Sequence, residues 1–264
     1  MSLLNKTIAF IGAGNMAEAL IRGLIANKVI PATNIIATDI RPERLEELQK
    51  VFGIRTGEPE ADIIILAVKP QQMSSVLSTL HAPPSTIFIS IAAGITTSRI
   101  EKELGSNARV IRVMPNTPAL VGAGAAALAK GRFASEEDLQ MAESILKAVG
   151  ITVRVEESLI DAVTALSGSG PAYVFYIAEA MIQAGIAQGL APEIAHKLAV
   201  HTVFGAGILL AQTGEEPSEL RRKVTSLGGT TEAAIKMMAE RKLPAIIAEA
   251  MLAAEKRGRE LSGS

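Results

Sequence analysis

Cysteine and tryptophan are absent from the chain, and aromatic residues make up only 3% of it. Without cysteine there can be no disulfide, no thiolate metal site and no Cys nucleophile, and a cytoplasmic setting is the expectation. The core must instead be built from Ala, Ile, Leu and Val, which suits closely packed helices and buried strands. Net charge is nearly absent too: Lys+Arg 26 against Asp+Glu 27 leaves −1. Nucleic-acid binders usually carry a basic excess, so no nucleic-acid partner is expected. No apolar stretch approaches the ~18 residues of a spanning helix, so no membrane partner is expected either. The longest candidate, 198–211, is interrupted by His201 and Thr202. The first apolar run, 7–12, is too short for the core of a signal peptide and leads straight into glycines. No HxxxH pair, DxD motif or nucleophile elbow occurs, so metal hydrolysis, serine hydrolysis and a metal site have no support.

What is present is a large apolar fraction, 48% of 264 residues, enough for one large domain or two modest ones. Up to about Val155 short β-branched runs at 8–11, 35–38, 63–68, 87–91, 110–114 and 151–155 alternate with helical spacers at 18–27, 42–52, 73–80, 97–104 and 136–149. Continuous apolar runs of that length read as parallel strands covered on both faces. Alternation with helices predicts a doubly wound α/β sheet. From about Leu159 the branched runs stop and helical patterns follow at 171–188, 192–213, 217–224, 231–240 and 244–261. Several begin with proline, whose missing N–H costs nothing in the first turn. The expected division is 1–157 for a dinucleotide-binding domain and 158–264 for a helical one. The helix from Pro171 is apolar almost all round, with Tyr176, Glu179 and Gln183 as its polar stripe. Such a helix must be buried on most faces, so a partner subunit is expected to cover it.

Phe10-Ile11-Gly12-Ala13-Gly14-Asn15-Met16-Ala17 follows the first strand and opens the first helix. Gly12 permits the tight turn, Gly14 lets the backbone approach a diphosphate, and Ala17 takes the helix-packing position. The helix start then offers free N–H groups and a positive dipole end to an anion. At the second strand's end Asp39 would bond ribose hydroxyls and favour NAD, whereas Arg41 and Arg44 are close enough to grip a 2′-phosphate and favour NADP. Arg44 reads as a solvated helix start. Ala67-Val68-Lys69-Pro70, Ala93-Gly94 and Asn116 lie at the ends of later strands, where ligands of open parallel sheets collect. Lys69 reads equally well as an ordinary surface lysine.

Two loops mark the second half. Thr164-Ala165-Leu166-Ser167-Gly168-Ser169-Gly170-Pro171 is expected to join two helices, with Ser169 available as a cap. In Val224-Thr225-Ser226-Leu227-Gly228-Gly229-Thr230-Thr231, two glycines and two threonines precede a helix. Amides at such a start suit a small carboxylate, and Ser226, Thr230 and Thr231 add hydroxyl donors. An ordinary cap at Thr230 would leave the glycine pair unexplained.

Together these segments, with Asp161-Ala162-Val163 and the stretch Arg112-Val113-Met114-Pro115-Asn116-Thr117-Pro118, resemble the pyrroline-5-carboxylate reductase family along nearly the whole chain. The resemblance implies an N-terminal Rossmann domain followed by an all-α C-terminal dimerisation domain, with NADP(H) or NAD(H) as cofactor and a cyclic imino acid as substrate. It implies a homodimer, which in some members assembles further into a decamer. It places the substrate carboxylate against Gly228, Gly229, Thr230 and Thr231 with Ser226 among the contacts, Thr164 at the ring nitrogen and Glu157 near the substrate. The cofactor set becomes Ile11, Gly12, Ala13, Gly14, Asn15, Met16, Asp39, Arg41, Ala67, Val68, Lys69, Pro70, Ala93, Gly94 and Asn116. Leu227 departs from the proline common before the glycine pair. The competing reading, a β-hydroxyacid dehydrogenase, needs a lysine on the first long helix of the second half, and none occurs between Lys147 and Lys197. A non-catalytic nucleotide sensor would leave the two loops without purpose.

Overall fold

The computed structural model describes residues 3–105 and 107–262. An eight-stranded sheet is formed by β1 (Ile8–Ile11), β2 (Ile35–Thr38), β3 (Arg55–Thr56), β4 (Ile63–Leu66), β5 (Ile87–Ser90), β6 (Arg109–Met114), β7 (Gly124–Lys130) and β8 (Gly150–Arg154). Their spatial order is β3-β2-β1-β4-β5-β6-β7-β8. All neighbours run parallel except β6 and β7, which are antiparallel with Ile111 opposite Lys130. The chain builds outward from β1 to β3 and then returns to set β4 on the other side of β1. In such sheets, ligands bind beyond the carboxyl ends of the strands where the order reverses.

Period-two alternation explains why both faces are dry. Ile8, Phe10, Ile63 and Ile65 point into one apolar cluster, and Ala9, Ile11, Ile64 and Leu66 into the other. Each fully buried Ile or Leu contributes about 1.5–3 kcal/mol, so these short strands hold the layers together despite their length. The first cluster is closed by α1 (Asn15–Ala26), α2 (Pro42–Phe52) and the later α5 (Glu136–Leu146), through Leu20, Ile21, Leu24, Leu48, Leu139 and Ile145. The second is closed by α3 (Met73–Thr79) and α4 (Thr97–Leu104), through Met73, Leu77 and Ile100. A capping box between Ser135 and Asp138 starts α5.

After β8 come α6 (Ile160–Val163), α7 (Gly170–Ala187), α8 (Pro192–Thr213), α9 (Pro217–Lys223), α10 (Thr230–Glu240) and α11 (Leu243–Ser262). The described residues form two compact units. One runs to Ser169 and takes in the chain again from Ala254; the other is Gly170–Ala253. The first unit thus continues past residue 157, because Ile160 packs against Ala127 and Ala129 of β7 and Arg112 of β6 lies 3.6 Å from Asp161. In the second unit α7 and α8 fold back on each other, with Gly185 against Ala195 and Leu190. Contrary to the expectation of no span-length segment, α8 is long and apolar enough to cross a membrane, by length and composition only (mean hydropathy 1.5). His201 and Thr202 interrupt the apolar run in sequence but are too few to lower its average.

Candidate active site

The glycine loop follows β1 directly. Gly12 has φ +95°, and a Cβ there would stand 2.7 Å from the Ala67 carbonyl oxygen. No side chain fits that approach, so the turn requires glycine. At Gly14 a Cβ would meet nothing within 4 Å, so this side of the loop is open. Gly14 caps α1 without any side-chain hydrogen bond, and the first intrahelical bond runs from Glu18 N–H to Gly14 C=O. The N–H groups of Asn15, Met16 and Ala17 therefore have no helical partner. Open space at a helix start whose amides lack partners is what a diphosphate requires, so these residues fit a dinucleotide.

At the end of β2, Asp39 bonds the loop rather than facing solvent. Its Oδ2 accepts from Ala13 N–H at 2.7 Å and from Arg41 at 3.1 Å. Its Oδ1 accepts from the Arg41 backbone N–H at 3.0 Å and from Arg41 Nε at 2.9 Å. The Arg41 guanidinium, helped by the Ala13 and Arg41 amides against the cost of burial, lowers the Asp39 carboxyl to about 2. Arg44 corrects the expectation of a solvated helix start. Its side chain is only 13% exposed, its Nε donates to the Ala13 carbonyl at 2.9 Å, and its other nitrogens pair with Glu18 and Glu47. The Arg44 bond holds the Glu18 carboxyl below its usual range. Glu18 goes unmarked in the sequence, and Arg44 is marked there chiefly as a helix start. The only available signal was an acid in the first turn of one helix and a base in the first turn of the next.

The parallel register brings the tips of β1, β4 and β5 together. Ala67 N–H bonds Ile11 C=O at 2.8 Å, and Ile91 N–H bonds Leu66 C=O at 3.2 Å. Ala67, Val68 and Pro70 are half-buried, whereas Lys69 and Ala93 are exposed. The end of α11 lies over Gly94, where an added Cβ would stand 3.2 Å from Leu261. Asn116, just beyond β6, is buried, and its amide is already occupied. Its Oδ1 accepts from Ala125 N–H at 2.8 Å and its Nδ2 donates to Ser167 C=O at 3.0 Å.

That last bond ties β6 to the segment carrying Thr164. The expected corner between helices is not there. Thr164–Gly168 is one turn of π-helix between α6 and α7, closed by Ser169 N–H to Thr164 C=O at 2.8 Å. Single π-turns of this kind are frequent at functional sites. The Thr164 hydroxyl donates to Ile160 C=O at 2.8 Å, leaving its oxygen lone pairs as acceptors. Glu157 secures the start of α4: its carboxylate accepts from Thr97 N–H at 2.7 Å and Thr97 Oγ1 at 2.6 Å, and Arg112 lies 3.3 Å away.

In the second unit, the loop before α10 ends in Gly229, which caps the helix without a side-chain bond; Thr230 is its first residue, not its cap. Gly229 N–H bonds Ser226 C=O at 3.0 Å, and Ala233 N–H bonds Gly229 C=O at 3.2 Å. The amides of Thr230, Thr231 and Glu232 are thus without helical partners. The Glu232 carboxylate turns back to Gly228 N–H at 2.8 Å. Ser226 and Thr230 are exposed and Thr231 is half-buried, so the loop presents hydroxyls and amides together. Among the described residues no group of three or more His, Asp or Glu is placed to hold a metal ion.

Comparison with known proteins agrees with this arrangement. The family model described as pyrroline-5-carboxylate reductase dimerisation matches residues 157–261. That described as NADP oxidoreductase, coenzyme F420-dependent, matches residues 7–94. A pyrroline-5-carboxylate reductase of Methanosarcina acetivorans is 43% identical over 265 residues, covering 97% of this chain and 98% of the relative. The structure of a pyrroline-5-carboxylate reductase from Coxiella burnetii superposes with a TM-score of 0.90 at 39% identity, covering 97% of this chain and 98% of that one. The Plasmodium falciparum pyrroline carboxylate reductase, crystallised with NADP bound, superposes with a TM-score of 0.83 at 27% identity over 98% of both chains. The chain belongs to the pyrroline-5-carboxylate reductase family.

Proposed function

We propose that this protein reduces 1-pyrroline-5-carboxylate to L-proline with NADPH or NADH, the last step of proline biosynthesis, in the cytoplasm. The observation that carries this reading is family likeness extending through both distinctive regions. The match at 7–94 takes in the glycine loop, and that at 157–261 takes in Thr164 and the Gly228–Gly229 loop. Residues 1–157 form the dinucleotide-binding domain in this reading, and 158–264 the substrate and dimerisation domain of a homodimer. Assembly of dimers into a decamer is the further step.

Ile11, Gly12, Ala13, Gly14, Asn15 and Met16 would hold the diphosphate. Asp39 and Arg41 would meet the adenosine ribose, and Ala67, Val68, Lys69, Pro70, Ala93, Gly94 and Asn116 the nicotinamide half. The bound dinucleotide supplies a hydride to the C=N carbon of the substrate. The π electrons of that bond pass to the nitrogen, which already carries a proton, and a secondary amine results. Such an iminium needs no strong general acid, consistent with the lack of a histidine among these residues. Positioning is then the protein's main contribution. Ser226, Gly228, Gly229, Thr230 and Thr231 would border the carboxylate, with the amides of Thr230 and Thr231 and the hydroxyls of Ser226, Thr230 and Thr231 as its donors. Thr164, its own proton committed to Ile160, would accept the N–H of the iminium and orient it. Glu157 would border the substrate, its carboxylate steadied by Thr97 and Arg112.

The test is loss of reduced-nicotinamide absorbance with pyrroline-5-carboxylate and each cofactor in turn, with proline identified as the product. Oxidation dependent on the imine is expected. No imine-dependent oxidation with either cofactor would reject the reading.

A further inference from the structure

Ala13 is fully buried, and both polar groups of its backbone are held from outside the loop. The N–H is held by Asp39 and the carbonyl by Arg44 Nε. Arg44 lies in the first turn of α2 and spends each of its three nitrogens on a different acceptor: Ala13 C=O, Glu47 and Glu18. Glu18 is one turn into α1 and is paired with Arg22 as well. A carboxylate there sits in the same positive field that the open helix start offers to a diphosphate. Left uncompensated, it would compete for that field and repel the ligand.

We propose that Arg44 is a positioning residue for the dinucleotide. It fixes the curve of the glycine loop through the Ala13 carbonyl and cancels the charge of Glu18 beside the phosphate-binding amides. The inference rests on the reductase reading above. Lysine cannot replace it fully, because one ammonium nitrogen does not span three acceptors set in the plane of a guanidinium. Arg44 need not touch the ligand: its nitrogens are committed within the protein.

The experiment is steady-state kinetics and direct cofactor titration on the full chain carrying Arg44→Met, Arg44→Lys, Glu18→Gln, or Arg44→Met with Glu18→Gln. Loss of a charge-assisted bond predicts that Arg44→Met raises Kd and KM for the reduced cofactor roughly tenfold or more. Turnover at saturating cofactor and KM for the imine should stay near wild type. Arg44→Lys should fall between, and adding Glu18→Gln to Arg44→Met should recover part of the affinity. A merely structural role would lower the melting temperature without splitting cofactor KM from imine KM, and that result overturns the proposal. If Arg44→Met does not fold, Arg44→Lys carries the test, and an unchanged cofactor KM there also overturns it. Absence of imine-dependent turnover in the wild type would instead reject the reductase reading.

Discussion

Asp39 has the position of a ribose-binding acid, yet its lone pairs are filled by Ala13 and by three groups of Arg41. A carboxylate accepts about four hydrogen bonds, so none remains for a ribose hydroxyl while Arg41 is folded back. Arg41 is half exposed, and a turn of its guanidinium toward a 2′-phosphate would uncover Asp39. Arg41→Ala should therefore shift the ratio of kcat/KM toward NADH by roughly tenfold, the worth of one charge-assisted bond. Measuring kcat/KM for both cofactors decides it, and an unchanged ratio refutes the masking role. The same pairing sets a pH dependence. A carboxyl lowered from 3.8 to about 2 in the fold stabilises the protein above its unfolded value and loses that contribution as pH falls through the folded one. Wild type should lose this contribution to its melting temperature on acidification from pH ~4 toward ~2. Asp39→Asn should lack that part of the drop; parallel acid melts of the two proteins would contradict it. The sequence made the positions of Asp39 and Arg41 legible but not their mutual bond. Arg44 reads as solvated in sequence because its buried setting depends on α2 packing against a loop some thirty residues earlier in the chain, a tertiary fact that local pattern does not carry.

Elements whose residues are branched and apolar, such as Ile63–Leu66, or that open on proline, such as Pro42–Phe52 and Pro192–Thr213, were legible from pattern alone. β7 was not, because Gly-Ala-Ala-Ala-Leu-Ala-Lys has no β-branched residue to mark it. Alanine is disfavoured in strands on average, and here packing overrides propensity. Ala126, Ala127, Leu128 and Ala129 are buried, and a Cβ on Gly150 of β8 would stand 2.0 Å from the Gly124 carbonyl oxygen. At that pair, Gly124 opposite Gly150, the two backbones leave no room for a side chain. Two-residue β3 is too short to leave a pattern, and the π-turn at Thr164–Gly168 reads as a loop in sequence because its glycines and serines resemble one. Gly150→Ala should destabilise the protein by about 1–3 kcal/mol, the usual cost of overpacking, through separation of β7 from β8. Denaturant unfolding measures this, and a midpoint equal to wild type would show that the strands can part without cost.

In the whole molecule, the unit Gly170–Ala253 has almost no interior of its own. Only Ala195 and Ala199 are buried in it, while Phe175, Tyr176, Leu198, Phe204 and Leu209 are each more than half exposed. The polar stripe at Tyr176, Glu179 and Gln183 foretold a mostly covered α7, yet no residue of α7 is buried within the single chain. Exposed apolar surface on this scale marks an association face, and a unit with so little interior gains stability when that face is covered. The helix α8, long and apolar enough by length and composition to cross a bilayer, adds to the same exposed apolar surface. Folding is then coupled to assembly, and the wild-type melting temperature should rise with protein concentration. Replacing Phe175 and Phe204 together by glutamate should place charge in the covered face and remove both the concentration dependence and the larger species in sedimentation. Turnover should fall with it, because the loop at Gly228–Thr231 belongs to the unit that assembly stabilises. A wild type that sediments as one chain, with a melting temperature indifferent to concentration, would remove the dimer from the proposal while leaving the cofactor site intact.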